Sequence, residues 1–122
     1  MSRILVVEDN PANMKLAKFI LEKVGHSVLS AADAEAGLTM ARAECPDLIL
    51  MDIQLPGMDG LQATELLKRD EATRAIPVIA LTALAMKGDE ERIRAAGCDG
   101  YIAKPIRYQE FLATIAAQLA TT

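Results

Sequence analysis

"LILMDIQLPGMDG", residues 48–60, sets a single carboxylate, Asp52, directly behind an apolar run. Leu48, Ile49, Leu50 and Met51 have no polar residue alternating with them, so they read as a strand buried on both faces. A lone charge buried at the end of such a strand is costly unless it is paired or bound to a metal. Pro56-Gly57 then turns the chain within a few residues. A core strand that ends on an aspartate needs a reason.

Working outward, short aliphatic runs alternate with longer stretches of helical period. Residues 3–7, RILVV, read as a first strand. Asn10 is placed to cap the next helix, with Pro11 at its first position. Met14, Ala17, Leu21 and Val24 give that helix an apolar face, and Gly25 ends it. A weaker strand over 26–31 precedes an Ala-rich helix over about 34–44. The third strand reads as 47–51, followed by a helix over about 60–68, and the fourth as 77–81. Asp89-Glu90-Glu91 form an acidic helix start, which suits the positive end of the helix dipole. A short strand over about 100–103 leads through Pro105 to a last helix, ending by about Ala120. Tyr108, Phe111, Leu112, Ile115 and Leu119 form its expected core face. This alternation predicts a doubly wound five-stranded parallel sheet with helices on both faces.

The totals bound the answer. The 122 residues make one domain, 1–122, able to bury about two thirds of its unfolded surface. With 3% aromatic residues and no Trp, the core must be aliphatic. A net charge of −4 and the lack of a basic stripe argue against nucleic-acid or anionic-membrane binding. Cys45 and Cys98 lie far apart beside a single histidine, which reads as two buried free thiols rather than a disulfide or zinc site. His26 reads as an exposed strand residue and not a phosphodonor. The first residues turn acidic at Glu8 and form neither a signal peptide nor a membrane span. A cytoplasmic, reduced protein is expected.

In a doubly wound sheet the ligand site lies outside the carboxyl ends of the strands. Here the first strand ends in Glu8-Asp9, the third in Asp52, the fourth in Thr82 and the last in Lys104. Singly, each has a plain explanation as cap, turn residue or surface amine; convergence on one rim does not. Carboxylates gathered there repel one another, and a hard divalent cation, Mg²⁺ or Mn²⁺, relieves the repulsion. A nucleophilic carboxylate facing metal, amine and hydroxyl suits phosphoryl transfer. On this reading Asp52 attacks phosphorus and forms an acyl phosphate.

Four motifs carry a family resemblance over essentially the whole chain. "VVEDNPANM", "PDLILMDIQLPGMDG", "IPVIALTA" and "GCDGYIAKPI", in that order and spacing, resemble the response-regulator receiver domain, a CheY-like fold. The stretch "TALAMKGDEERIRAAGCDGYIAKPI" is similar to single-domain receivers of the DivK type and to receivers of hybrid histidine kinases. The resemblance implies strand order 2-1-3-4-5 and makes Asp52 the phosphoacceptor. It implies that Asp9 binds Mg²⁺ directly, Glu8 through water and Gln54 through its backbone carbonyl. Thr82 would bond the phosphoryl oxygen, Lys104 would pair with it, and Tyr101 would turn inward with Thr82 from a solvent-facing position. It also implies a cis Lys104-Pro105 peptide.

The function expected is a signalling switch, not a dedicated enzyme. A sensor histidine kinase or histidine phosphotransfer protein would phosphorylate it. With no output domain of its own, it would bind a target through residues of about 86–96, 100–103 and 106–119, as a monomer or weak dimer. The alternatives are a receiver excised from a hybrid kinase, a degenerate receiver used only for binding, an aspartyl-phosphate phosphatase and a flavodoxin-like carrier. The phosphatase needs an acid two residues after the nucleophile, where this chain has Gln54. The carrier needs an uncharged phosphate-binding loop where this chain has EDNPANM.

Overall fold

The computed structural model describes residues 2–83 and 87–120, apart from the side chain of Lys87. Ten elements alternate along them: β1 Arg3–Val7, α1 Pro11–Lys23, β2 Ser27–Ala31, α2 Ala34–Glu44, β3 Leu48–Asp52, α3 Gly60–Arg69, β4 Val78–Thr82, α4 Lys87–Ala95, β5 Gly100–Ala103 and α5 Tyr108–Ala120. The strands form one parallel sheet in the order β2-β1-β3-β4-β5. No described helix is long and apolar enough to cross a membrane.

Local chemistry sets the helix starts. Asn10 Oδ1 accepts the amides of Ala12 at 2.9 Å and Asn13 at 3.1 Å, and Pro11 opens α1. Asp33 caps α2 by accepting from Ala36. Asp59 and Gln62 cap α3 reciprocally, each side chain bonding the other's backbone amide.

Strand alternation then sorts the core into two layers. Leu5, Val7, Ile49, Met51, Val78 and Ala80 pack with Leu38, Ala41, Ala63, Leu67 and Ile93 of α2, α3 and α4. Ile4, Val6, Leu48, Leu50, Ile79, Leu81 and Ile102 pack with Ala17, Ile20, Leu21, Phe111 and Ile115 of α1 and α5. The side chains of β3 and β4 are buried on both faces. Each fully buried Leu, Ile or Phe stabilises the fold by about 1.5–3 kcal/mol relative to an exposed one.

Several sequence expectations shift. β3 and β4 each run one residue later than read, so that Asp52 and Thr82 are the last residues of their strands. β2 starts at Ser27, not at 26, and α4 starts at Lys87, ahead of the acidic run. His26 is half-buried just before β2, where Nδ1 accepts the Ser2 amide at 3.2 Å. Val24 is the exposed C-cap of α1 and Tyr108 is exposed at the start of α5, so neither belongs to the core. Cys98 is buried, but Cys45 is exposed. Cys45 ends α2 at φ 46°, a left-handed cap that turns its side chain off the apolar face.

Candidate functional site

The ladders run one residue past β1 and β5. The Glu8 amide donates to the Ala31 carbonyl and the Lys104 amide to the Thr82 carbonyl, at 3.0 and 2.8 Å. Side chains two residues apart on a strand share a face. Glu8 therefore follows Val6, Asp52 follows Leu50 and Lys104 follows Ile102, all on the α1–α5 side. These three converge. Lys104 Nζ lies 2.9 Å from Glu8 Oε1 and 3.0 Å from Asp52 Oδ2. Carboxylate oxygens of Glu8, Asp9 and Asp52 lie within 4.8 Å of one another. Thr82 follows Ala80 on the opposite face, and β5 aligns Ala80 with Tyr101. Thr82 and Tyr101 thus share the α2–α4 side of adjacent strands.

Burial separates neighbours in sequence. Glu8, Asp52 and Thr82 are 2%, 2% and 0% exposed, whereas Asp9 is exposed. The buried carboxylates are oriented by backbone amides: Asn10 donates to Glu8 Oε2 at 3.1 Å and Gln54 to Asp52 Oδ1 at 3.0 Å. Tyr101 is half-buried, packed against the α2–α4 core. The Lys104–Pro105 peptide is cis.

The electrostatics follow from this crowding. Burial first, and then the contact with Asp52, pushes the Glu8 carboxyl above the ordinary glutamate range, against the opposing pull of Lys104 and the Asn10 amide. Burial disfavours the Lys104 ammonium, but its bonds to Glu8 and Asp52 outweigh that and raise its pKa. Two buried carboxylates thus share one ammonium, with the exposed Asp9 carboxylate beside them. Glu8 Oε1 is buried and is ion-paired with the Lys104 ammonium at 2.9 Å. An all-oxygen cluster with surplus negative charge fits a hard divalent cation.

Two contributors have no signature in the rim residues themselves. One is the Asn10 amide on Glu8, which the helix-cap reading could have located. The other is Gly60, where any Cβ would run into the backbone of Asp52 and Ile53. The Asp-Gly pair before a helical stretch is its only sequence trace.

Comparison with known proteins agrees with this geometry. A family model, the response regulator receiver domain, matches residues 4–116. The polar-differentiation response regulator DivK of Brucella ovis is 52% identical over 116 residues, covering 95% of this chain and 94% of that protein. The receiver domain of a Pseudomonas aeruginosa sensor histidine kinase superposes with a TM-score of 0.91 at 37% identity, covering 98% of both chains. Its crystal structure has a magnesium ion coordinated in the active-site cleft. The chemotaxis protein CheY4 of Vibrio cholerae shares the fold, with a TM-score of 0.91 at 24% identity over 96% of this chain and 98% of that one. A family model spanning nearly the whole sheet, and a relative matched almost end to end, place the chain in the response regulator receiver domain family.

Proposed function

We propose that this receiver is a phosphorylation-dependent switch and that Asp52 accepts the phosphoryl group. The observation that carries the reading is the placement of the Asp52 carboxylate. It is buried at the end of a core strand, 3.0 Å from the Lys104 ammonium and clustered with Glu8 and Asp9. An Asp52 oxygen forms the new bond to phosphorus as the bond to the donor breaks. For a phosphohistidine on a kinase or phosphotransfer protein, the imidazole nitrogen leaves. Lys104 neutralises charge on the transferred group, and the Gln54 amide holds the carboxylate in line. Glu8, Asp9, Asp52 and the Gln54 carbonyl would hold Mg²⁺ or Mn²⁺. When bound, the cation neutralises phosphoryl oxygens and the surplus carboxylate charge. The magnesium in the Pseudomonas receiver supports that assignment.

Thr82 bonds the phosphoryl group once it is formed, and Tyr101 responds on the same face of the neighbouring strand. The target then binds over α4, β5 and α5, within residues 86–96, 100–103 and 106–119; of these, Met86 lies outside the described residues. Such a switch acts in the cytoplasm as a monomer or weak dimer. Thr82→Ala, phosphorylated to the same extent, should lose the gain in target affinity; an undiminished gain removes the coupling.

Acetyl phosphate tests the central assignment. Wild type should be labelled in the presence of Mg²⁺, and labelling should vanish in Asp52→Asn and collapse with chelator. Equal labelling of the Asn variant, or labelling indifferent to chelator, would refute the reading.

A further inference from the structure

Building on the assignment of Asp52 as phosphoacceptor, we infer that Gly60 is a positioning residue for it: the missing side chain lets α3 seat directly on the Asp52 backbone. A Cβ placed on Gly60 would lie 2.7 Å from Ile53 Cα and 2.8 Å from the Asp52 carbonyl carbon, and closer still to the Asp52 carbonyl oxygen. All three atoms are backbone, so no side chain can swing aside to make room. The strand end itself would have to move.

Conformation does not explain this glycine. Gly60 opens a regular helix and is not among the glycines with positive φ, so its backbone conformation is one that alanine also adopts. Gly57, in the same loop, is the opposite case: φ is 74° and nothing lies within 4 Å of its would-be Cβ. Gly57 supplies a turn, whereas Gly60 supplies room.

The surrounding bonds hold Gly60 in that seat. Its amide donates to the Ile53 carbonyl at 3.2 Å, closing the loop that carries Gln54. Its carbonyl accepts from Thr64 Oγ1 at 2.8 Å, and Thr64 is fully buried. Any shift at Gly60 therefore passes to Asp52 and to the Gln54 amide that orients its carboxylate. Misplacement of a reacting group by about 1 Å can lower a rate 10²-fold.

The test uses Gly60→Ala, with Gly57→Ala as the control. Initial rates of Asp52 labelling are measured over a range of acetyl phosphate concentrations, and Mg²⁺ binding is measured by calorimetry without phosphodonor. Gly60→Ala should lose about tenfold or more in maximal rate, with half-saturation little changed, and should bind Mg²⁺ more weakly. Gly57→Ala should melt earlier yet label within about twofold of wild type, because only its own turn is strained. Labelling and Mg²⁺ affinity of Gly60→Ala equal to wild type would overturn the inference, as would an equal rate loss in Gly57→Ala. If Gly60→Ala does not fold by circular dichroism, Thr64→Val decides. It removes the bond to the Gly60 carbonyl and should lower labelling about fivefold while melting cooperatively; unchanged labelling overturns the inference. Failure of wild type to label at Asp52 would instead strike the phosphoacceptor assignment itself.

Discussion

The two rims of the sheet handle charge in opposite ways. At the amino rim every charge named here has a partner. Arg3 bonds the Glu44 carboxylate at 2.6 Å and the Glu44 carbonyl at 2.8 Å, while its amide donates to Asp47. Lys68 Nζ meets Asp99 Oδ2 at 3.1 Å and the carbonyls of Ile76 and Arg74 at 2.9 and 3.4 Å. Asp99 in turn accepts the Val78 amide. At the carboxyl rim Glu8 and Asp52 share the ammonium of Lys104, and Asp9 adds a third carboxylate to the same cluster. Satisfied charge holds the architecture in place. Unsatisfied charge is tolerated where a ligand is to supply the balance, and stability is given up for it.

The contrast breaks most directly at the two lysines. Lys104→Met should lower the maximal rate of Asp52 labelling by about 10²-fold, because one fixed positive charge facing the transferred group is gone. A rate within about threefold of wild type would place Lys104 with the structural charges of the amino rim. Lys68→Met should leave labelling near wild type but cost about 1–3 kcal/mol in urea unfolding, since two carbonyls and Asp99 lose a charged donor. Lost labelling at unchanged stability would erase the distinction between the rims.

A smaller effect sharpens the picture through pH. The folded-state pKa of Glu8 lies above its unfolded value, so the folded protein holds this proton more tightly. Its stabilising contribution is full below the unfolded value of about 4.3 and is lost as pH rises through the raised folded value. Without divalent cation, wild type should lose more stability than Glu8→Gln over that window. Parallel denaturation curves for the two proteins would show that Glu8 is not crowded. Lys104 has the same sign at alkaline pH: its support is present below the unfolded value and fades as pH rises through the raised one.

The smallest effect belongs to the amino rim. Cys45→Gly should raise stability by about 0.5 kcal/mol, as relief of left-handed strain slightly exceeds the added chain entropy of glycine. In wild type a maleimide should modify Cys45 within minutes. Cys98 should stay protected, because burial pushes its thiol pKa up and hides its sulfur. Rapid modification of both would show that the amino rim opens.

Much of this protein was legible in one dimension. Apolar runs of strand length, spaced by helical periods, can satisfy their backbone and bury their side chains only as a covered parallel sheet. A polar residue ending each of several such runs must lie on the carboxyl rim, so Glu8, Asp9, Asp52, Thr82 and Lys104 could be gathered before any coordinates. Asn10-Pro11 announced a helix start because capping is a local bond between near neighbours. What depends on neighbours distant in sequence was not legible. Glu8 and Asp9 are adjacent carboxylates, yet only the packed sheet buries one and exposes the other. Cys45 and Tyr108 fit apolar patterns, but a left-handed cap and the exposed start of α5 put them in solvent. The bonds Lys68 makes to Asp99 and Ile76 join α3 to the approaches of two different strands, which no spacing rule describes. Gly60 reads as an ordinary turn glycine until the Asp52 backbone is seen against it. Local bonds and periodicity follow from the order of residues alone. Burial, charge balance and close approach are decided by which distant segments meet, because only those meetings exclude water and fill space.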